Sequence, residues 1–245
     1  MVDIIRTHTI DSYGANVQPP IGKVGVTQFD NQNGISRSCF PLSFYAVLRI
    51  CKPDKKAYFE SVPSARALQD RFIKEANIDI VGRVASYLHT VTTLPVRLAR
   101  EGNQEYFAGL LRLINSSALI HADYGAYDAP GWEIGCISAQ LSWNVLLREV
   151  QGGECVIYRR FWEGKSDDET FRQPSPGYGY RKDAVEGCDV QVVQPEVGEL
   201  TLFNSRNFHS VNAVRQPEIF PRYTVSSFIG LLPTAAGGFE IILWS

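Results

Sequence analysis

The sequence has 245 residues, with 24 Lys and Arg against 26 Asp and Glu and a formal net charge of −2. Hydrophobic residues make up 44% and charged residues 20%, a globular balance that excludes a disordered, collagenous or coiled-coil chain. No basic run is present, so no nucleic-acid partner is expected, and no apolar stretch nears the roughly 18 residues that span a bilayer, so no membrane partner is expected either.

The first residues, Met1-Val2-Asp3-Ile4-Ile5-Arg6, carry no signal-peptide apolar core, and a cytoplasmic location is expected. Cys39, Cys51, Cys136, Cys155 and Cys188 are odd in number and scattered without a CxxC pair, which reads as reduced, structural thiols. Residues 1–35 are rich in Gly, Pro, Asn and Gln, and loops with an edge strand or two are expected there. From Ser64 to about Thr90, Leu68, Phe72 and Ala76, then Ile80, Val84, Tyr87 and Leu88, recur at helical spacing. Two helices are predicted, breaking near Asn77-Ile78-Asp79, and Pro95 ends the region.

Nine short strands follow: Leu110–Asn115, Ala118–Asp123, Ile137–Leu147, Glu154–Arg160, Asp189–Val193, Glu199–Asn204, His209–Val214, Tyr223–Leu231 and Phe239–Trp244. Their spacing and their Gly and Pro punctuation predict a mostly β fold, a jelly roll under a helical N-terminal layer. One domain over residues 1–245 is expected. Phe161 to Gly187 lacks strand pattern and holds Phe161, Trp162, Phe171, Tyr178 and Tyr180 among polar residues. A loop that long is usually functional, and a mobile cover over the site is expected.

Only four histidines occur. His8 lies in the loose N-terminus and His89 near a helix end, where capping or solvation explains them. His121 and Asp123 form an H-x-D pair whose spacing puts both side chains on one face of a strand. With His209 they make two imidazoles and one carboxylate, the set that holds a ferrous ion by three adjacent corners and leaves positions open.

The order H-x-D (121–123), Gly152-Gly153-Glu154, Gly198-Glu199-Leu200-Thr201-Leu202-Phe203, His209 and Arg222-Tyr223-Thr224 resembles the double-stranded β-helix of Fe(II)/2-oxoglutarate-dependent oxygenases. Leu94-Pro95-Val96, Arg112-Leu113, Gln140-Leu141-Ser142 and Trp244-Ser245 are similar to the small oxygenases that include the aliphatic halogenases of hapalindole-type pathways, with N-substituted amino acid hydroxylases as architectural relatives. The likeness covers roughly residues 55 to 245 and leaves residues 1–60 as a variable N-terminal part. It implies that His121, Asp123 and His209 bind Fe(II), that Arg222 grips the far carboxylate of 2-oxoglutarate, and that Thr224 and Ser226 on the same face assist. Arg112 is either a further cosubstrate contact or a structural ion pair.

In the resembled halogenases a small Gly or Ala replaces the carboxylate and opens a place for chloride, whereas here Asp123 is present. The resemblance then implies that 2-oxoglutarate and dioxygen take the open positions, that succinate and carbon dioxide form, and that the oxidant abstracts hydrogen from substrate. Hydroxylation is the default outcome, with desaturation or cyclisation open. The expected substrate is a small, largely apolar molecule of specialised metabolism, with Tyr127, Phe161 and Trp162 as candidate contacts. Two other readings stay open: a cupin-like dioxygenase without 2-oxoglutarate, and a catalytically silent jelly-roll binding module or partner subunit with a vestigial metal site. Oligomeric state is not legible.

Overall fold

The computed structural model describes residues 1–13, 17–28, 55–174 and 178–245. The chain opens with helix α1 (Val2–Arg6) and strands β1 (Asp11–Ser12) and β2 (Gly22–Val24), followed by helices α2 (Lys55–Ala65), α3 (Ala67–Ala76) and α4 (Ile80–Thr92). Cys39 and Cys51 lie outside the described residues. The expected helix break falls where predicted. Asn77 adopts a left-handed conformation at φ 55°, its N–H bonding to the Ile73 carbonyl and that of Ile78 to the Phe72 carbonyl to close α3, while the Asp79 carboxylate caps α4 by accepting the Gly82 N–H.

Helix α2 lies ahead of the predicted helical stretch. Pro63 inside it masks the pattern, because proline removes an intrahelical donor. Tyr58, Phe59 and Val62 nevertheless share a buried face and pack against Tyr106 and Trp132. Helices α3 and α4 bury Leu68, Phe72, Val84 and Leu88 against Leu111, Trp143, Val225 and Leu243. This is the anticipated helical layer, lying on one face of a large sheet.

Then come β3 (Val96–Leu98), β4 (Arg100–Glu101), β5 (Gln104–Glu105), β6 (Leu110–Leu113), β7 (Ala118–His121), the short helix α5 (Gly125–Asp128), β8 (Ala139–Leu146), β9 (Cys155–Phe161) and helix α6 (Lys165–Phe171). β10 (Val190–Val193), β11 (Leu200–Phe203), β12 (Asn207–Val211), β13 (Tyr223–Pro233) and β14 (Phe239–Trp244) complete the chain. All nine predicted strands are present, joined by short β1 to β5. The large sheet is built on β13, which pairs with β8 along one edge and with β6 and then β14 along the other. β2 and β1 extend it beyond β6, β3 beyond β14 and β11 beyond β8. The second sheet runs β10-β9-β12-β7. Two sheets, not a closed barrel, make the jelly roll.

Strand alternation decides what faces the interior. Val225 and Ile229 of β13 go to the helices, so Thr224 and Ser226 point the other way, into the fold. On β12, Phe208 belongs to a cluster with Trp162, Tyr180, Ala184 and Val185, so His209 points to the opposite face.

Candidate active site

His121 ends β7 and is in register with His209 on the neighbouring strand β12, so one strand pairing brings the two imidazoles together at a centroid distance of 4.1 Å. Asp123 lies two residues beyond the end of β7, not within the strand as predicted. Its backbone N–H bonds to the Ser205 carbonyl at 2.9 Å, and the Gln140 side-chain amide donates to the Asp123 carbonyl (3.1 Å) and to Ser205 Oγ (3.0 Å). This buried network holds the carboxylate beside the histidines without a strand ladder.

The ring orientations follow from backbone acceptors. His121 Nδ1 lies 2.7 Å from the Leu119 carbonyl and His209 Nδ1 lies 2.9 Å from the Asn207 carbonyl. A carbonyl only accepts, so each Nδ1 carries the proton and each Nε2 keeps a bare lone pair. Both Nε2 atoms face Asp123 Oδ2, at 3.8 Å from His121 and 3.6 Å from His209. The ligand atoms of the three residues all fall within 4.8 Å of one another. Burial depresses the His209 imidazole to about 3, so it stands in the neutral, ligating form. Two nitrogens and one carboxylate oxygen fit a ferrous ion.

Arg222 is the second component. It is 4% exposed, immediately precedes β13, and shares the inward face with the fully buried Thr224 and Ser226. Its Nη1 lies 3.5 Å from Thr224 Oγ1, and its buried Nε has no hydrogen-bond partner. Among the described residues no carboxylate pairs with it. Burial, with the positive charge of Arg112 acting in the same direction, lowers the guanidinium to about 10, which leaves it cationic at neutral pH. A buried guanidinium with an orphaned donor and no acid is a receptor for an anion that arrives from outside.

Arg112 on β6 stands opposite Thr224 in register, and its Nη1 donates to Ser226 Oγ at 3.0 Å. Ser226 therefore serves Arg112, while Thr224 serves Arg222. Burial works against the charge of Arg112, but Tyr13, Asp123 and Tyr178 outweigh it and raise its pKa. Among the described residues no carboxylate forms an ion pair with it.

The three candidate substrate contacts lie elsewhere. Trp162 is buried with Tyr180 and Phe208, its indole N–H 3.3 Å from Asp168, and Tyr127 packs edge-on against it at 4.6 Å. This cluster occupies the face of the smaller sheet away from the histidines. Phe161 is 54% exposed under the Arg206 guanidinium. Within the expected cover, α6 and a 3-10 turn at Lys182–Val185 set Phe171, Ala184 and Val185 against that outer face, where Tyr180 packs as well. His89 sits in the last turn of α4 with Nδ1 2.8 Å from the Leu94 carbonyl, as a capping residue.

Several neighbours of the site escaped the sequence reading. Phe203 sets its ring edge-on to His209 at 4.9 Å, and Tyr178 does the same to His121 at 5.8 Å. Tyr13, from the N-terminal part, hydrogen-bonds Arg112. The alternation of β11 offered a signal for Phe203; nothing in the sequence pointed to Tyr13.

A family model described as carrier-protein-independent halogenase WelO5 matches residues 22–234. Leucinostatins biosynthesis cluster protein S of Purpureocillium lilacinum is 54% identical over 238 residues, covering 96% of this chain and 90% of that protein. L-gamma-glutamyl-L-propargylglycine hydroxylase of Streptantibioticus cattleyicolor is 32% identical over 152 residues, 59% of this chain and 50% of that one. The crystal structure of an N-substituted L-amino acid dioxygenase from Burkholderia ambifaria shares the fold, with a TM-score of 0.50 at 17% identity over 89% of this chain and 77% of its own. Family match and metal-ligand geometry agree: the chain belongs to the carrier-protein-independent halogenase family of WelO5 and is a non-haem iron, 2-oxoglutarate-dependent oxygenase.

Proposed function

We propose that this member of the family oxygenates an unactivated carbon of a small, largely apolar molecule in specialised metabolism and does not halogenate it. The observation that carries this reading is Asp123, whose Oδ2 lies 3.6 Å and 3.8 Å from the two histidine Nε2 atoms and fills the corner where a halide would otherwise sit. His121, Asp123 and His209 would hold iron by three adjacent positions. Arg222, steadied by Thr224, would take the far carboxylate of 2-oxoglutarate. When bound, iron and 2-oxoglutarate supply an oxidant at the expense of dioxygen, releasing succinate and carbon dioxide.

The chain's own contribution is orientation. The carbonyls of Leu119 and Asn207 fix the histidine rings, Gln140 and Ser205 fix Asp123, and Phe203 and Tyr178 pack edge-on against the imidazoles. An intact donor set and a buried arginine without an acid support catalysis over a silent binding module. Arg222 also argues against an oxygenase without 2-oxoglutarate. A relative that hydroxylates a γ-glutamyl amino acid favours hydroxylation over desaturation or cyclisation, and the cytoplasm, where ferrous iron and 2-oxoglutarate are available, is the proposed location. Product mass spectrometry with labelled dioxygen and excess bromide tests the reading: labelled oxygen in the product is expected, and a brominated product from the unaltered protein would overturn it.

A further inference from the structure

Accepting that reading, Arg112 has no assigned role among the described residues of the site. Lys23, Arg112 and Thr224 stand in one cross-strand row on β2, β6 and β13, so their side chains share the inward face. Arg222 has the far carboxylate of the cosubstrate. Asp123 and the near carboxylate of 2-oxoglutarate balance the two charges of ferrous iron. Arg112 is left over, and Lys23, buried with its Nζ 5.0 Å from the Tyr13 ring centre, adds charge of the same sign. Ser226 and Tyr13 occupy only part of the five N–H donors of a guanidinium.

A second unused donor lies nearby. The Tyr178 hydroxyl accepts the Leu119 N–H at 2.7 Å, which leaves its own O–H proton without an acceptor among the described residues. The ring packs edge-on to His121, and the hydroxyl is near enough to Arg112 and Asp123 for their charges to act on it. A planar cation and a phenol O–H beside an iron ligand match a carboxylate, which accepts from both.

We propose that the substrate carries a carboxylate on its apolar body, and that Arg112 and Tyr178, with Tyr13 bracing the guanidinium, bind that carboxylate beside the iron. The substrate is then read at two ends: the anion fixes its distance from the metal, and the apolar part fills the remaining space. A half-buried arginine that meets its counter-charge only when substrate arrives also ties binding to the correct chemical class, because a neutral analogue leaves the cation unmatched.

The test uses the Fe(II)-loaded protein under nitrogen. Calorimetry first measures 2-oxoglutarate binding and then, at saturating 2-oxoglutarate, the binding of N-acetyl-, N-hexanoyl- and N-decanoyl-L-leucine and of their carboxamides. At least one acid is expected to bind more than about tenfold better than its amide, the scale of a charged hydrogen-bonded pair. Arg112→Gln should abolish that preference and Tyr178→Phe should reduce it, with 2-oxoglutarate affinity within about twofold of wild type, well under the tenfold of a lost pair. Arg112→Lys, which keeps the charge, should retain part of the preference and guards against a folding defect in Arg112→Gln. The proposal is overturned if no acid is preferred, or if Arg112→Gln weakens 2-oxoglutarate binding and leaves the preference intact, which would assign Arg112 to the cosubstrate. Failure of wild type to bind 2-oxoglutarate at all would instead refute the oxygenase reading.

Discussion

Gly153 and Arg222 approach so closely that a Cβ on the glycine would lie 2.7 Å from Arg222 Cδ and 3.0 Å from its Nε. Gly153 also adopts φ +71°, where side chains are rarely tolerated. The glycine turn ahead of β9 therefore makes room for the Arg222 side chain, which is proposed to hold the cosubstrate. Gly153→Ala should push the guanidinium out of line and add left-handed strain of about 1–2 kcal/mol. Weaker 2-oxoglutarate binding with unchanged iron content is expected. Anaerobic titration, followed by the visible charge-transfer band, reads both quantities.

Arg222→Ala removes the guanidinium itself. Losing one partner of a buried charged pair costs roughly 2–5 kcal/mol, so cosubstrate affinity should fall by well over tenfold while iron stays bound. Arg222→Lys should recover only part of the loss, since an ammonium cannot form the planar fork. If neither change alters 2-oxoglutarate affinity, the assignment moves to Arg112.

His121→Ala or His209→Ala should abolish stoichiometric iron binding, because each removes one of the three donor atoms that lie within 4.8 Å of each other. Metal analysis after anaerobic loading and desalting measures this directly. Full iron content and activity in His209→Ala would exclude the triad.

Trp162→Ala should behave as a core mutation. The indole is 5% exposed inside the cluster with Tyr180 and Phe208, and truncating a buried tryptophan costs about 3–5 kcal/mol. For a protein of this size that corresponds to a melting point lower by on the order of 10 °C. Succinate release and product formation should remain coupled in the folded fraction. Uncoupling without a thermal shift would return the segment 161–187 to the role of a cover.

What the sequence revealed depended on how locally each feature is encoded. H-x-D, His209 and Arg222 were legible because metal and carboxylate chemistry admits few residue types, although Asp123 is held beyond the end of β7 by Gln140 and Ser205 and not by strand alternation. The break at Asn77-Ile78-Asp79 was legible for the same reason, since a left-handed Asn and an Asp cap act within one turn. For Trp162 and Tyr127, which pack against each other in a cluster with Tyr180 and Phe208, the sequence was silent on placement, because an aromatic residue reads alike whether it lines a cavity or fills a core. Helix α2 was hidden by Pro63. Tyr13 could not be found at all, and Tyr178 was named only as one aromatic residue of the expected cover: they meet Arg112 and His121 through contacts that join distant parts of the chain, and no spacing records such an encounter.

The pairing of His121 with His209 joins residues 88 positions apart in the sequence, a contact that pays its loop entropy before any local interaction repays it. No fragment short of both strands can present the two imidazoles together. A nascent chain that has emerged only as far as β9 would offer iron one histidine and one carboxylate, too few to retain it. Metal capture thus belongs to the end of maturation, and an iron-loaded molecule is one whose smaller sheet has already closed.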